Sequence, residues 1–221
     1  SYPKLDRHSL KKALLTVALF VLTIKSFGQQ DTEFWFVAPD VSSSQGQSPI
    51  GLKLLSYDNA ATVTITQPAN GGFTPIVVNL AANSVSTVDL TPFIADIETP
   101  AADAVSDNGL KIVSDELITA YYELTAGSNK EIFSLKGTKG LGTDFYSPFQ
   151  KQWDNASVAP GTFSSIEIVA TEDGTQVAFT PKTAVVGHPQ DVTYVINLNE
   201  GETYSARDVN LSATTTLAGS I

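Results

Sequence analysis

The sequence contains no cysteine and no methionine among its 221 residues, and only two histidines. The lack of cysteine excludes disulfide bonds and thiol catalysis. His8 lies near the N-terminus, so the rest of the chain has His188 alone. A single histidine without cysteine leaves catalytic triads and histidine-rich zinc sites short of the residues that they need. His188 lies between a glycine and a proline, which predicts a solvent-facing turn residue rather than a catalytic base.

Motifs that bind nucleotides or mark common hydrolases are also absent. The sequence has no GxSxG, no HExxH and no Walker-type GxxxxGK[ST] pattern. The stretch KGTKGLGTD at 136–144 is basic and rich in glycine, as phosphate-binding loops are. It does not lie between a predicted strand and a predicted helix, so we interpret it as a connection between structural units.

Long apolar runs are scarce, and the clearest one lies near the N-terminus. The run ALLTVALFVLTI at 13–24 follows a basic segment and precedes the small residues Ser26 and Gly28. This order is typical of a signal peptide, and the run is shorter than the roughly 20 residues that span a bilayer. We therefore predict a signal helix over 1–28, removed on export from a secreted or cell-surface protein that has no membrane insertion after cleavage. A buried or membrane-anchoring N-terminal helix is the alternative.

Basic residues are few after this leader. Residues 29–221 contain eight lysines and arginines against 22 aspartates and glutamates, a formal net charge of −14. Such a surface repels nucleic acids and anionic membranes, so neither is expected as a partner. A secreted chain of this size without disulfides fits a bacterial envelope or extracellular protein better than a small disulfide-rich module.

Short strands are predicted almost throughout the chain after the leader. TVTIT at 62–66, LITAYYEL at 117–124 and VTYVINL at 192–198 each alternate apolar residues with other side chains, which is the pattern of half-buried strands. Turn sequences occur between the predicted strands: YDNA at 57–60, ANGG at 69–72, SDNG at 106–109, EDGT at 172–175 and NEGE at 199–202. Only PFIADIETPAAD at 92–103 departs from this pattern, and it is compatible with one helical turn or a loop excursion. The sequence therefore predicts an all-β fold of the β-sandwich type.

An internal repeat organises these strands. Three blocks recur in the same order with offsets of 111 to 118 residues, and the offset grows only across predicted loops. The matched blocks are 31–40 with 142–151, 50–68 with 165–182, and 73–90 with 192–209. We predict two tandem, related, β-sandwich-like units at 29–140 and 141–221. The first unit ends in two predicted strands within 108–127. The second unit lacks counterparts of these closing strands, which indicates an N-terminal piece of a longer protein.

Carboxylate pairs are the remaining route to catalysis, since two acids suffice for glycoside hydrolysis. Glu33 and Asp144 hold equivalent positions beside aromatic residues in the two units. Equivalence within a repeat favours a structural role for both, so we predict that the protein is not an enzyme and has no cofactor. A calcium ion is possible where acidic residues lie in or beside turns. These residues are Asp58, Asp107, Asp115, Glu172 and Asp173.

Aromatic side chains are the best candidates for ligand contact. Trp35, Tyr121, Tyr146 and Trp153 would stack on a sugar ring or a protein ligand if they face outward. The alternative is that most of them fill the core. Alternation along DTEFWF directs Trp35 away from the face of Phe34 and Phe36, whereas Trp153 lies in a polar segment.

Four stretches together resemble the IgGFc-binding protein N-terminal domain family. They are TEFWFVAP at 32–39, LGTDFYSP at 141–148, IEIVATEDGTQVAFTP at 166–181 and VINLNEGETYSARD at 195–208. The resemblance covers nearly all of 31–221, and its bacterial members are secreted cell-surface proteins. It implies a β-rich, non-enzymatic module for binding or adhesion, with an extracellular protein or glycan as ligand. The alternatives are a carbohydrate-binding module of a larger secreted enzyme and a structural spacer.

Overall fold

The fold of the chain is mostly β-strand, as a computed structural model describes it for residues 29–41, 46, 48–99, 101–125, 130–151, 163–209 and 216–221. The all-β prediction is confirmed. The strands up to residue 134 are β1 (Asp31–Phe36), β2 (Ala38–Pro39), β3 (Ile50–Ser56), β4 (Ala61–Thr66), β5 (Ile76–Leu80), β6 (Val85–Asp89), β7 (Glu98–Thr99), β8 (Val105–Ser106), β9 (Leu110–Leu124) and β10 (Glu131–Ser134). The later strands are β11 (Tyr146–Lys151), β12 (Ser165–Val169), β13 (Thr175–Pro181), β14 (Tyr194–Leu198), β15 (Thr203–Arg207) and β16 (Thr216–Ser220).

Helical structure in the described residues is limited to short turns. A 3-10 turn at Thr91–Phe93 continues into a single α-helical turn, α1, at Ile94–Ile97, within the stretch whose sequence is compatible with one. A second 3-10 turn at Gly137–Gly140 begins the glycine-rich stretch. There, the backbone N–H and the hydroxyl of Thr138 donate to the Asp31 carboxylate at 2.8 and 2.6 Å. This stretch thus forms hydrogen bonds with the first residue of β1.

Strand β9 spans 15 residues and changes partners along its length. Its first part, at 110–114, lies between β1 and β4, whereas its later part, at 118–124, lies between β3 and β10. The sequence predicts two separate strands here, and that prediction is wrong. Asp115 does not break the strand, because its side chain accepts a hydrogen bond from the Thr62 backbone N–H at 2.7 Å.

The first hydrophobic core lies between the two strand groups that share β9. One group is β5-β4-β9-β1 and the other is β6-β3-β9-β10, all antiparallel. The alternating residues predicted to face inward are buried, including Val63 and Ile65 of β4 and Phe34 of β1. Phe36 packs against Tyr122, with 4.5 Å between the ring centroids.

A second hydrophobic core is built from the strands after residue 163. The sheets β11-β16-β13-β14 and β12-β15-β8 surround it. Phe179, Leu198, Tyr204 and Leu217 are among its buried side chains. The pairings resemble those of the first core: β12 pairs with β15 and β13 with β14, as β3 pairs with β6 and β4 with β5. Strand β16 lies between β11 and β13, as β9 lies between β1 and β4.

The segment after α1 connects the two cores. Strand β7 pairs with β2 beside the first core, while β8 joins the sheet of the second core by pairing with β15. Ala102 forms a bridge with Ser205 between these two points. The turns at 106–109 and 199–202 also meet, since Gly109 donates its N–H to the carbonyl of Gly201 at 3.1 Å. We call 98–106 the connecting segment.

The predicted signal helix at 1–28 and Trp153 lie outside the described residues. Within them, no helix is long and apolar enough to cross a membrane.

Candidate functional site

Trp35 is half-buried and has partners on its edge and on its face. Its Nε1 donates to Glu33 Oε1 at 2.8 Å, so both side chains share the outer face of β1, as alternation predicts. The Lys111 ammonium lies 4.8 Å from the centroid of the Trp35 ring. Lys111 also binds Glu200 at 2.8 Å, on a turn of the second core. Trp35 therefore belongs to a contact between the two cores and offers less free ring surface than a stacking platform requires.

Tyr121 lies on the outer face of β9, where its ring is partly buried. Its hydroxyl donates to Gln29 Oε1 at 3.4 Å. In the neighbouring strand, Lys53 is its register partner, and Lys53 binds Glu123 at 2.9 Å. The surroundings of Tyr121 are thus polar and charged.

Tyr146 is the most exposed of the large hydrophobic side chains in the described residues, at 85%. It begins β11, which lies at an edge of its sheet and pairs there with β16. Leu141 and Phe145 are also exposed, at 41% and 42%. The backbone of Phe145 exchanges two hydrogen bonds of 2.9 Å with Ile221, which holds this part of the chain in place. We call Leu141, Phe145 and Tyr146 the 141–146 patch.

The predicted aromatic residues do not form one site. Trp35 and Tyr121 lie on strands around the first core, whereas Tyr146 lies on the edge of a sheet at the second core. No ring contact joins any two of these three residues, and the fourth candidate, Trp153, lies outside the described part of the chain. Of the three, Tyr146 alone has a ring largely free for a ligand.

The two candidate acids of a carboxylate pair have separate local partners. Glu33 accepts the hydrogen bond of Trp35, and Asp144 Oδ2 accepts one from the Thr143 hydroxyl at 3.1 Å. Among the acidic turn residues, Asp173 accepts a hydrogen bond from the Glu200 N–H at 3.0 Å. In the part of the chain that the structure describes, no group of three or more histidine and acidic side chains could hold a metal ion.

His188 lies in a turn, as predicted, but its ring is not simply solvated. Its Nε2 lies 2.8 Å from Asp103 Oδ1, and its ring stacks on Tyr194 with 3.4 Å between centroids. The Tyr204 hydroxyl donates to the same Asp103 oxygen at 2.6 Å. Burial acts to raise the pKa of Asp103, but the hydrogen bonds from Tyr204 and His188 outweigh it and lower the pKa. Gly187 is required beside them, because its φ is +80° and a Cβ there would overlap Asp103 Oδ2.

Arg207 forms a second polar contact between the cores and is itself buried. Its Nη1 donates to Asp40 Oδ2 at 3.1 Å, its Nη2 donates to the carbonyl of Thr99, and its Nε donates to Ser205 Oγ at 3.0 Å. Ser205 donates in turn to Glu167 Oε1 at 2.8 Å. We call Asp40, Glu98, Thr99, Glu167, Ser205 and Arg207 the Arg207 cluster.

Burial raises the pKa of two carboxyl groups in this cluster. Burial, followed by the charge of Asp40, raises the pKa of Glu98 to about 7, against a backbone hydrogen bond from Val41 and the charge of Arg207. Burial also raises the pKa of Glu167, against hydrogen bonds from serine hydroxyls and the charge of Arg207. Glu98 Oε1 and Glu167 Oε2 have no hydrogen-bond partner among the described residues. The cluster thus has three carboxyl groups, of Asp40, Glu98 and Glu167, and one guanidinium.

The sequence gives little warning of these polar contacts. Asp103 and His188 are 85 residues apart, and Asp40 and Arg207 are 167 residues apart. Arg207 is the one arginine of residues 29–221, and it lies within a strand of small and aromatic residues. A charged residue in such a strand is a signal of a buried partner.

Residues 132–221 match the family model described as IgGFc binding protein. The match begins in β10 and extends through β16, so it includes the 141–146 patch and the second core. It confirms the family resemblance of the sequence motifs over this part of the chain. No curated protein and no solved structure matches the chain.

Proposed function

We propose that this chain, a relative of the IgGFc binding protein family over residues 132–221, is a non-catalytic module that binds an extracellular protein. The observation that carries the proposal is the 141–146 patch within the matched residues. Its three apolar side chains are exposed on a segment that hydrogen bonds to Ile221 hold in place. An exposed tyrosine beside other apolar side chains is a common centre of protein interfaces.

The domain organisation of the proposed module is two related units, 29–140 and 141–221, after a signal peptide at 1–28. The corresponding pairings of β3-β6 with β12-β15, and of β4-β5 with β13-β14, support the duplication. Export to the cell surface and a role in adhesion are parts of the same proposal, and they agree with a fold that uses no cysteine.

Charge adds a criterion for the ligand. The formal net charge of −14 over 29–221 favours a ligand with a basic surface, because opposite charges accelerate association. Raising the salt concentration from about 0.05 M to about 0.5 M should then lower the association rate more than it raises the dissociation rate.

Binding to an immobilised IgG Fc fragment and to a glycan array tests the proposal. We expect the chain to bind Fc, and Tyr146→Ala to weaken this binding at least about tenfold while the fold is unchanged. Tyr57→Ala is the matched control, because Tyr57 is an exposed tyrosine outside the matched residues. Equal loss in both variants would contradict a site at the 141–146 patch.

The remaining outcomes separate the other functions. Glycan binding that Tyr146→Ala abolishes, without Fc binding, would replace the proposal with a carbohydrate-binding module. Failure to bind either probe would contradict the proposal and favour a structural spacer.

A further inference from the structure

Tyr146 holds the place around the second core that Trp35 holds around the first. In the first core, Trp35 of β1 is the register partner of Lys111 in β9. In the second core, Tyr146 of β11 is the register partner of Ser220 in β16. The neighbouring strands agree, because β4 pairs with β9 at Lys111 and β13 pairs with β16 at Ser220. The two rings are therefore counterparts, although Trp35 is half-buried and Tyr146 is exposed.

The turn at 81–84 joins β5 to β6, as the turn at 199–202 joins β14 to β15. Each turn has a residue with a positive φ at its third position, Asn83 at 54° and Gly201 at 82°. Strand β6 pairs with β3 as β15 pairs with β12. The turn at 81–84 is thus the counterpart, at the first core, of the turn that carries Glu200.

Within one chain, the turn between β14 and β15 meets the Trp35 side of the first core. Glu200 binds Lys111 at 2.8 Å, and the Lys111 ammonium lies 4.8 Å from the centroid of the Trp35 ring. In the same turn, the carbonyl of Gly201 accepts the N–H of Gly109 at 3.1 Å. The first core thus presents the outer side of β1 and β9 to this contact, and the second core presents the end of a hairpin.

The contact between the cores covers β15 but leaves its counterpart β6 open. Val85 begins β6 and Thr203 begins β15, each directly after its turn. Thr203 is 0% exposed and pairs with Ser106 of β8, whereas Val85 is 62% exposed. Among the large hydrophobic side chains of the described residues, Tyr146 alone is more exposed than Val85. The two most exposed ones therefore lie on surfaces whose counterparts meet inside the chain.

We propose that copies of this chain associate head to tail, with the 141–146 patch of one copy against Ala82 and Val85 of the next. The contact repeats between chains the arrangement of the two cores within one chain. It is heterologous, so each bound copy still has one open surface for a further copy. The expected product is a series of copies and not a symmetric dimer.

The contact between copies is apolar where the contact within the chain is ionic. Ser220 stands where the first core has Lys111. Ala82, an exposed residue, stands where the other turn has Glu200. The ion pair thus has no counterpart between copies, and Tyr146 instead brings an exposed ring to small apolar side chains. Such a small contact is expected to be weak and to form at high protein concentration.

Salt distinguishes this association from the ligand binding proposed above. Residues 29–221 contain eight basic and 22 acidic residues, a formal net charge of −14, so copies of the chain repel each other at low salt. Raising the salt concentration should strengthen the contact between copies, whereas it should slow association with a basic ligand. The inference does not rest on Fc as the ligand, and failure to bind Fc would leave it intact.

Sedimentation velocity of the full chain in about 0.5 M salt tests the association. The average sedimentation coefficient should rise continuously between about 0.01 and 1 mM protein, past the value of a dimer. Tyr146→Ala and Ala82→Arg should each remain monomeric over this range. Val195→Ala and Ala178→Arg make the same kinds of change at exposed positions of β14 and β13, and should behave as the native chain does. A native chain that stays monomeric would overturn the proposal.

A mixture of the two monomeric variants tests the head-to-tail geometry. Tyr146→Ala keeps the open turn at 81–84, and Ala82→Arg keeps the 141–146 patch. An equimolar mixture should form heterodimers and nothing larger, since each variant retains one working surface. Monomers in the mixture, or association of either variant alone, would refute the assigned surfaces.

Nuclear magnetic resonance of the native chain gives an answer without any variant. The amide signals of Ala82 and Tyr146 should shift together as the protein concentration rises, whereas the amide signal of Val195 should not move. Shifts confined to one of the two surfaces would contradict a head-to-tail contact.

Discussion

Arg207 and Asp40 form an ion pair of 3.1 Å between Nη1 and Oδ2, although 167 positions separate them in the sequence. Arg207 belongs to the second core and is buried, whereas Asp40 lies beside the first core and is partly exposed. Breaking a buried pair by removing one partner costs more than the pair itself contributes, because the other charge is left without compensation. The pair therefore makes the stability of each core depend on the presence of the other.

Replacing Arg207 should destabilise the chain strongly. Arg207→Met keeps most of the side-chain volume but removes the donors to Asp40, Thr99 and Ser205. We expect the free energy of unfolding to fall by about 3 to 5 kcal/mol in urea titrations. Lys182→Met is the control, because its ion pair with Asp191 is exposed and should contribute less than about 1 kcal/mol. Similar losses in the two variants would contradict the importance of burial.

Gly201 should tolerate alanine less well than Gly174, although both have a positive φ, of +82° and +68°. Each substitution places alanine in the left-handed region at a cost of about 1 to 2 kcal/mol. A Cβ at Gly201 would also lie 2.8 Å from the backbone nitrogen of Ala69, whereas nothing lies within 4 Å at Gly174. Gly201→Ala should therefore lower the melting temperature more than Gly174→Ala does. Equal shifts would rule out a tight contact between the turns at 69–72 and 199–202.

The hydroxyl of Tyr122 should be dispensable, whereas its ring should not. The residue is 1% exposed, its ring packs on Phe36 and Phe133, and its hydroxyl has no partner among the described residues. Burial, and then the charge of Glu98, raise the pKa of this hydroxyl. Tyr122→Phe should be neutral or stabilising by about 1 kcal/mol in chemical denaturation. Tyr122→Ala should cost about 3 to 5 kcal/mol, and a large loss in Tyr122→Phe would indicate an essential hydroxyl.

Asp103 should stabilise the chain at neutral pH and lose this contribution in acid. Its pKa lies below the ordinary value of 3.8, so its contribution is complete above that value and is lost as the pH falls through the lower pKa of the folded chain. Asp103→Asn keeps the left-handed backbone, at a φ of 54°, and should cost about 1 to 2 kcal/mol at neutral pH. Denaturation at several pH values below about 5 should show that the free energy of unfolding of this variant depends less on pH than that of the native chain.

A matched control for Asp103→Asn is the same change at Asp58, an exposed residue of the YDNA turn. Asp58→Asn should change the stability by less than about 0.5 kcal/mol. If both variants weaken the pH dependence of the unfolding free energy equally, the pairing of Asp103 with Tyr204 and His188 is not the cause of that dependence.

Strand positions were predictable from the sequence because alternation is a local property. Phe34, Val63 and Ile65 are buried where period two places them, and DTEFWF forms β1. The continuity of β9 was not predictable, because the acidic pair at 115–116 resembles a turn and its outward direction depends on neighbouring strands. The sequence left a helical turn and a loop excursion open for 92–103, and the structure has a single helical turn there, at Ile94–Ile97.

The candidate ligand contacts were predictable only in part. The sequence identifies Tyr146 as an aromatic residue at the head of the second repeat, but exposure is a property of the assembled sheet. Trp35 appeared equally suitable, and only the folded chain brings Lys111 and Glu200 to it. The Arg207 cluster is built from residues that share no spacing or motif, so no local pattern indicates it.

The shared strand β9 also bears on how the chain folds. Its residues pair with β1 and β3, which are about 60 to 90 positions earlier, and with β4, about 50 positions earlier. Neither strand group of the first core is complete until these distant segments meet. Early hairpins such as β4-β5 therefore gain little stability by forming alone. Loop closure must precede most of the stabilising contacts, which predicts slow folding with a single cooperative step for this core. During synthesis, residues 29–109 would leave the ribosome before β9, the strand with which β1, β3 and β4 pair, has been made.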